Sequence, residues 1–133
     1  MLSLAYIYDI ICNIDFGTVE QKQEKSRQVN GLRIEEHPVL DFERGEKVTF
    51  YFNDQVVEAY SSETIAAALH AAGVRKLGES SEMHRPRGLF CAIGNCSSCF
   101  MIVDDQPNMR VCVMKVKQGM RVEEQKGKGV LKP

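Results

Sequence analysis

The sequence predicts an α+β domain, a mixed sheet packed on one helix. Three observations predict it. Two β-branched and aromatic segments meet at Asn53-Asp54, one alanine-rich run has helical spacing, and short apolar segments separated by turn residues follow it.

Taken in order, residues 1–16 alternate loosely and allow a strand or a short helix, and residues 17–30 (GTVEQKQEKSRQVN) are polar without apolar periodicity. The second stretch reads as linker or disorder, so residues 1–30 form an N-terminal extension. A docking arm and an extension without a role both fit it. The compact domain spans 31–127, and 128–133 form a tail. Lys47 to Phe52 and Gln55 to Tyr60 form a hairpin with a two-residue turn, although Asp54 stands where glycine is preferred. Ser62 is placed to cap a helix over Ile65 to Ala72, which Gly73 stops; Ile65, Leu69 and Ala72 are its expected buried stripe. Residues 75–88, broken by Gly78, Pro86 and Gly88, read as loop. Cys99 to Val103 and Met109 to Val113 are strands about the turn Asp104 to Pro107, and Met120 to Glu124 is a last strand.

Composition narrows the function. The net charge of −1 over 133 residues argues against a nucleic-acid partner, which needs a basic domain. Charge is nevertheless uneven: residues 1–60 carry 6 basic and 11 acidic side chains, residues 61–133 carry 11 and 7. A solvated surface is the plain reading of the basic half, and a docking face for an acidic partner is the sharper one. No segment is long and apolar enough to span a bilayer, and Met1 to Cys12 lacks the charged start and cleavage site of a secretory signal. A cytoplasmic location is expected, where cysteines serve as metal ligands or reactive thiols more often than as disulfides.

Four of the five cysteines follow the spacing C-x4-C-x2-C-x12-C, at Cys91, Cys96, Cys99 and Cys112. The first three fall at i, i+5 and i+8, a spacing that neither helix nor strand places on one side, so a loop must wrap the ligand. Gly94 and the small residues Ala92, Ser97 and Ser98 suit a loop whose backbone N–H groups turn toward the sulfurs. A hairpin centred on Asp104 to Pro107 sets Cys112 opposite Cys99 and so returns the fourth thiol. Ordinary buried cysteines, disulfides and a structural zinc are the alternatives. Zinc takes four thiolates but favours paired C-x2-C knuckles, and here only Cys96 and Cys99 make one. The x4-then-x2 order is the spacing of a plant-type 2Fe-2S cluster. Cys12 reads as a spare thiol, His37 and His70 as structural, and His84 as a neighbour of the loop without the arrangement of a histidine-ligated cluster.

These residues resemble the β-grasp 2Fe-2S ferredoxin family, whose loop C-x-x-G-x-C-S-S-C matches CAIGNCSSC. The short interval to Cys112 is similar to that of small iron–sulfur subunits rather than free ferredoxins. Small subunits of molybdenum hydroxylases have it, but carry a second domain with four more cysteines, and no cysteine follows Cys112. RPRGLFC, VDDQPNMRVC and QGMRVEEQ resemble the other branch, the small subunits of flavin-dependent amino- and imino-acid dehydrogenases. That branch includes hydrogen cyanide synthase, proline or hydroxyproline dehydrogenases, and the N-terminal part of the sarcosine oxidase α subunit. Ala92 and Asp105 stand at positions where this branch favours glycine.

The resemblance implies one 2Fe-2S cluster on Cys91, Cys96, Cys99 and Cys112, and no substrate chemistry in this chain. FAD in a partner subunit would take the hydride and pass electrons singly to the cluster, in a hetero-oligomer. An independent soluble ferredoxin and a zinc-stabilised interaction module are the competing functions. Arg85 and Arg87 are expected either to orient the partner or to bind backbone carbonyls.

Overall fold

The computed structural model describes residues 32–130. The expected element at 1–16, the linker at 17–30 and Cys12 lie outside the described residues. The strands are β1 (Lys47–Phe52), β2 (Gln55–Tyr60), β3 (Gly78–Glu79), β4 (Pro86–Arg87), β5 (Phe100–Val103), β6 (Gln106–Arg110) and β7 (Arg121–Glu124), and one helix, α1 (Ile65–Ala71), follows β2. Five strands form one sheet in the order β2-β1-β7-β5-β6, while β3 and β4 pair separately. β1 and β7 run parallel and the other pairs are antiparallel. A mixed sheet on one helix is therefore the architecture, in the β-grasp arrangement that the resemblance implies. The two short strands at 78–87 lie where a plain loop is expected; two paired residues on each side carry too little pattern to show in a sequence.

The β1–β2 turn takes the expected two residues, with Phe52 opposite Gln55 and positive φ at Asn53 (46°) and Asp54 (64°). That is the mirror-image turn whose twist matches a hairpin, and Asn and Asp tolerate it better than other non-glycine residues. The second hairpin differs from expectation. Its turn is Asp104-Asp105 alone, again with positive φ at both (47° and 65°), and Val103 faces Gln106. The register then shifts between Met101 and Val103, and Phe100 faces Arg110 rather than Val111. Asn108, at φ 62°, marks the irregularity and exchanges amide hydrogen bonds with the buried Gln125.

The helix starts two residues later than a Ser62 cap would allow. Thr64 is the N-cap, and its hydroxyl accepts from the Ala67 N–H at 3.3 Å. The Ser62 hydroxyl instead donates to the Arg44 carbonyl. Gly73 follows at φ 83°, the left-handed geometry that ends helices, and its N–H bonds the His70 carbonyl. A seven-residue helix is too short to stand alone, so packing holds it. Ile65, Ala66, Ala68, Leu69 and Ala71 are buried, a wider face than the expected stripe, and Ala72 is only partly covered. All of these but Ala71 meet Phe50, Leu77, Met101, Val111 and Val122 in one core, to which Cys99 and Cys112 also belong. Each large side chain there contributes about 1.5–3 kcal/mol by leaving water.

A strap precedes the sheet. Arg33 donates to both carboxylate oxygens of Glu63 at 3.0 Å and to the Glu58 carbonyl, and its guanidinium lies 5.4 Å from the centre of the Tyr60 ring. The Glu63 carboxylate and Arg33 guanidinium are both largely shielded, and this contact holds the Arg33 pKa above its ordinary value.

Candidate metal centre

The cysteine loop closes the gap between β4 and β5. Ala92 and Gly94 both take left-handed backbone, with φ 58° and 78°. These two reversals fold the loop back until the Cys96 N–H points at Cys91 Sγ, 3.3 Å away. Gly94 is required twice over, because a Cβ there would also come within 3.1 Å of Val113 Cγ1. The Cys96 N–H, followed by that of Ile93, the Cys96 side chain and the Asn95 N–H, holds the Cys91 thiol well below its ordinary value, at about 6. Donors converging on a sulfur favour the thiolate, the form that binds metal.

Cys99 closes the loop at the start of β5 and is buried, as is Cys112. Burial pushes the Cys99 thiol up to about 11, opposed by the Cys112 N–H and helped by the Cys112 and Cys96 side chains. Cys91 thus stands beside Cys96, and Cys99 feels both Cys112 and Cys96. Among the described residues no three His, Cys, Asp or Glu side chains converge as a site for one ion. A 2Fe-2S cluster divides four thiolates between two irons, whereas a four-thiolate zinc needs all four at one centre.

Cys112 reaches Cys99 by a different route from the one the hairpin arithmetic predicts. The observed register leaves Cys99 facing Val111, whose N–H bonds the Cys99 carbonyl at 3.3 Å. Cys112 lies one residue further, beyond the end of β6, in a tight turn where the Val113 and Met114 N–H groups both bond the Arg110 carbonyl. The helix fixes that turn. The N–H groups of Ile65 and Ala66, orphaned at the start of α1, bond the carbonyls of Met114 (2.9 Å) and Val111 (3.0 Å). The Val116 N–H bonds the Glu63 carbonyl, and Thr64 bridges Lys115. Cys112 is thus held between β5 and the first turn of α1.

The sequence reading misses this helix clamp and also Gln125, the buried polar residue behind the loop. Gln125 Oε1 accepts from the Asn108 N–H at 2.7 Å, and its Nε2 donates to Asn108 Oδ1 at 2.8 Å. A lone Gln after a strand carries no sequence signal for such a role. The cleft beside it, about 310 Å³, is lined by Arg87, Ser97, Ser98, Asn108 and Lys128 among others. His84 sits on the exposed β3–β4 connection, 3.8 Å from Glu79, and His37 Nδ1 accepts from Val39 and Leu40 N–H groups. Arg85 and Arg87 bind no carbonyl through their guanidinium groups among the described residues; their own carbonyls accept from Ser80 and Leu77 instead. The structural role expected for those side chains is thus not the one observed.

A β-grasp sheet that carries a wrapped cysteine loop and a fourth thiol beside it defines an iron–sulfur domain. The chain belongs to the family of 2Fe-2S iron-sulfur cluster binding domains, whose profile matches residues 45–127. It is 34% identical over 88 residues to the hydrogen cyanide synthase subunit HcnA of Pseudomonas aeruginosa, covering 66% of this chain and 83% of that protein. Sarcosine oxidase subunit alpha of a Corynebacterium species is 36% identical over 61 residues, covering 46% of this chain but 6% of that subunit. A chain of the L-proline dehydrogenase from P. horikoshii superposes with a TM-score of 0.59 at 31% identity, covering 70% of this chain and 18% of that one. The protein thus resembles iron–sulfur parts of oxidoreductases and spans only a small share of the two larger chains.

Proposed function

We propose that this chain passes single electrons through one 2Fe-2S cluster held by Cys91, Cys96, Cys99 and Cys112. On this reading it is the small subunit of a flavin-dependent amino- or imino-acid dehydrogenase or oxidase complex. The wrapped loop, with the Cys96 N–H 3.3 Å from Cys91 Sγ, together with the 2Fe-2S family match over residues 45–127, supports the cluster assignment. The names of the relatives, a hydrogen cyanide synthase subunit, a sarcosine oxidase subunit and a proline dehydrogenase, support the partner class. When bound, the cluster supplies reversible one-electron chemistry. The chain's own residues do the rest: the loop N–H groups stabilise the thiolates, Gly94 keeps the loop close to Val113, and α1 holds the Cys112 turn. FAD and the substrate site belong to the partner subunit, and this chain performs no catalysis itself. No helix among the described residues is long and apolar enough to cross a membrane, and a cytoplasmic hetero-oligomer fits the retained thiols. The cluster domain is taken as 31–127, because Arg33 is already tied to Glu63.

Absorbance of the purified protein tests the assignment. Visible bands that bleach with dithionite are expected, together with two irons and two sulfides per chain. A colourless protein with one zinc would overturn it in favour of a zinc-stabilised module. Cys112→Ser is expected to lose most of the iron and sulfide, and Cys12→Ser to retain both. Affinity isolation from the native host should bring down an FAD-containing subunit; isolation of the chain alone would favour an independent ferredoxin.

A further inference from the structure

Three apolar side chains at the cysteine loop face solvent. Phe90 is 84% exposed, Ile93 75% and Val113 52%. Phe90 precedes Cys91, Ile93 lies within the loop between Cys91 and Cys96, and Val113 follows Cys112. They share one end of the molecule, since Val113 packs against Gly94 within the loop. An exposed phenylalanine beside an isoleucine and a valine is costly in a free protein and is the usual centre of an interface.

The segments that carry the loop and Cys112 have charge of one sign. The acids beside them, Glu79 in the cleft with Arg87 and Glu63 next to Lys115, are paired with Lys76 and Arg33. Residues 83–103, which hold the loop, contain Arg85 and Arg87 and no Asp or Glu. Residues 106–116, which hold Cys112, contain Arg110 and Lys115 and again no Asp or Glu. All four cations are exposed, and among the described residues none is in an ion pair. Arg110 lies at the loop itself, with its side chain 3.9 Å from where a Gly94 Cβ would stand. The opposite edge of the sheet is acidic: residues 35–58 carry seven acidic and two basic side chains. Among the described residues the surface side-chain charge is therefore polarised, with cations gathered at the cysteine loop end.

We propose that the electron-exchange face is this apolar knob, Phe90, Ile93 and Val113, within a rim of Arg85, Arg87, Arg110 and Lys115. Its partner is a flavoprotein face with the complementary pattern, an apolar socket ringed by Asp and Glu. The inference deepens the electron-transfer reading above and rests on it. Long-range attraction orients the positive end toward the acidic rim before contact, and the dry centre then seats the loop against the electron donor. Interfaces built this way place apolar contact at the middle and charge at the edge.

Small inorganic oxidants probe the face on the cluster-loaded protein. Reduced protein passes one electron to hexacyanoferrate(III), giving hexacyanoferrate(II), or one to hexaamminecobalt(III), giving cobalt(II). Oxidation by the anion should slow at least about 5-fold as salt rises, because screening removes the attraction, while oxidation by the cation should quicken. Arg87→Glu with Arg110→Glu should reverse both trends. Equal salt dependence for the two oxidants, or none, overturns the inference while the visible bands still stand; absent bands overturn the electron-transfer reading itself.

Binding supplies the second readout. Phe90→Ser with Ile93→Ser should weaken association with the co-isolated flavoprotein subunit at least about 10-fold, measured by surface plasmon resonance. Val56→Ser, an exposed apolar site on the far edge strand β2 (50% exposed), should leave it unchanged. Unchanged affinity in the double variant, or equal loss in Val56→Ser, overturns the apolar knob. Failure to isolate any flavoprotein subunit overturns both the partner class and this inference.

Discussion

Ala92 shows how one residue can carry a local cost. Its φ of 58° lies in the left-handed region, where an L-residue with a Cβ is disfavoured by about 1–2 kcal/mol. The strain is retained because the loop must turn there for the Cys96 N–H to reach Cys91. Ala92→Gly should therefore stabilise the cluster-free protein by about 0.5–1 kcal/mol after the extra chain entropy of glycine is deducted. Urea denaturation measures this, and a loss of stability would show that the Ala92 methyl makes a compensating contact. The thiols give a second residue-scale prediction. Cys91 is held at about 6 by the Cys96 N–H, and burial pushes Cys99 up to about 11. In the cluster-free protein, iodoacetamide should label Cys91 first, with a rate that rises through pH 6. Because its folded value is lowered, this thiol stabilises the fold above its unfolded value and loses that contribution as pH falls through about 6. Cys99 should label last. Mass spectrometry of the labelled peptides across pH 5–9 distinguishes them, and uniform labelling would contradict the N–H convergence at Cys91.

At the scale of elements, the short helix does more than cover the sheet. Its first two N–H groups grip the carbonyls on either side of the Cys112 turn, so helix position sets the position of Cys112. Thr64→Ala removes the cap and should cost about 1 kcal/mol, with faster iron loss to a chelator than in the wild type. Leu69→Ala, at a fully buried position, should cost about 2–5 kcal/mol by leaving a cavity under the same clamp. If Thr64→Ala lowers stability but leaves the chelation rate unchanged, the clamp does not govern the cluster. These relations explain what was legible in the sequence. The first hairpin could be read because Asn53-Asp54 sits between two clear strand patterns, and the helix because alanines and Gly73 mark it. Thr64 could not be separated from Ser62 as the cap, since both precede the same apolar run and only the tertiary contact of Ser62 with Arg44 decides. The second hairpin slipped because its irregularity sits at Asn108, whose positive φ is held by Gln125, 17 residues away. The four proposed ligands rest on spacing alone, and the place of Cys112 depends on a helix terminus that no local pattern records.

At the scale of the whole described structure, the four proposed ligands lie between the core and a polarised surface. Cys99 and Cys112 belong to the core while Cys91 and Cys96 are only partly covered, so one side of the proposed cluster faces the sheet and the other the positive loop end. That arrangement makes the core and the site one cooperative unit, with the strap at 32–44 as its outer tie. Arg33 reaches across thirty residues to Glu63, which sits beside the cap and whose carboxylate also accepts from the Tyr60 N–H at 3.2 Å. Removing the strap leaves a shielded carboxylate without its cation, a loss of about 1–3 kcal/mol for an unpaired group. A chain starting at residue 45 should still bind iron, since all four cysteines and the helix remain. Its melting temperature should fall by about 4–24 °C, at about 4–8 °C per kcal/mol for a domain of this size. Glu63→Gln in the shortened chain should recover part of that loss, because a neutral amide keeps an acceptor for Tyr60 without a buried charge. Loss of iron on shortening would instead place residues 32–44 within the cluster's own support, and recovery by Glu63→Gln would then fail.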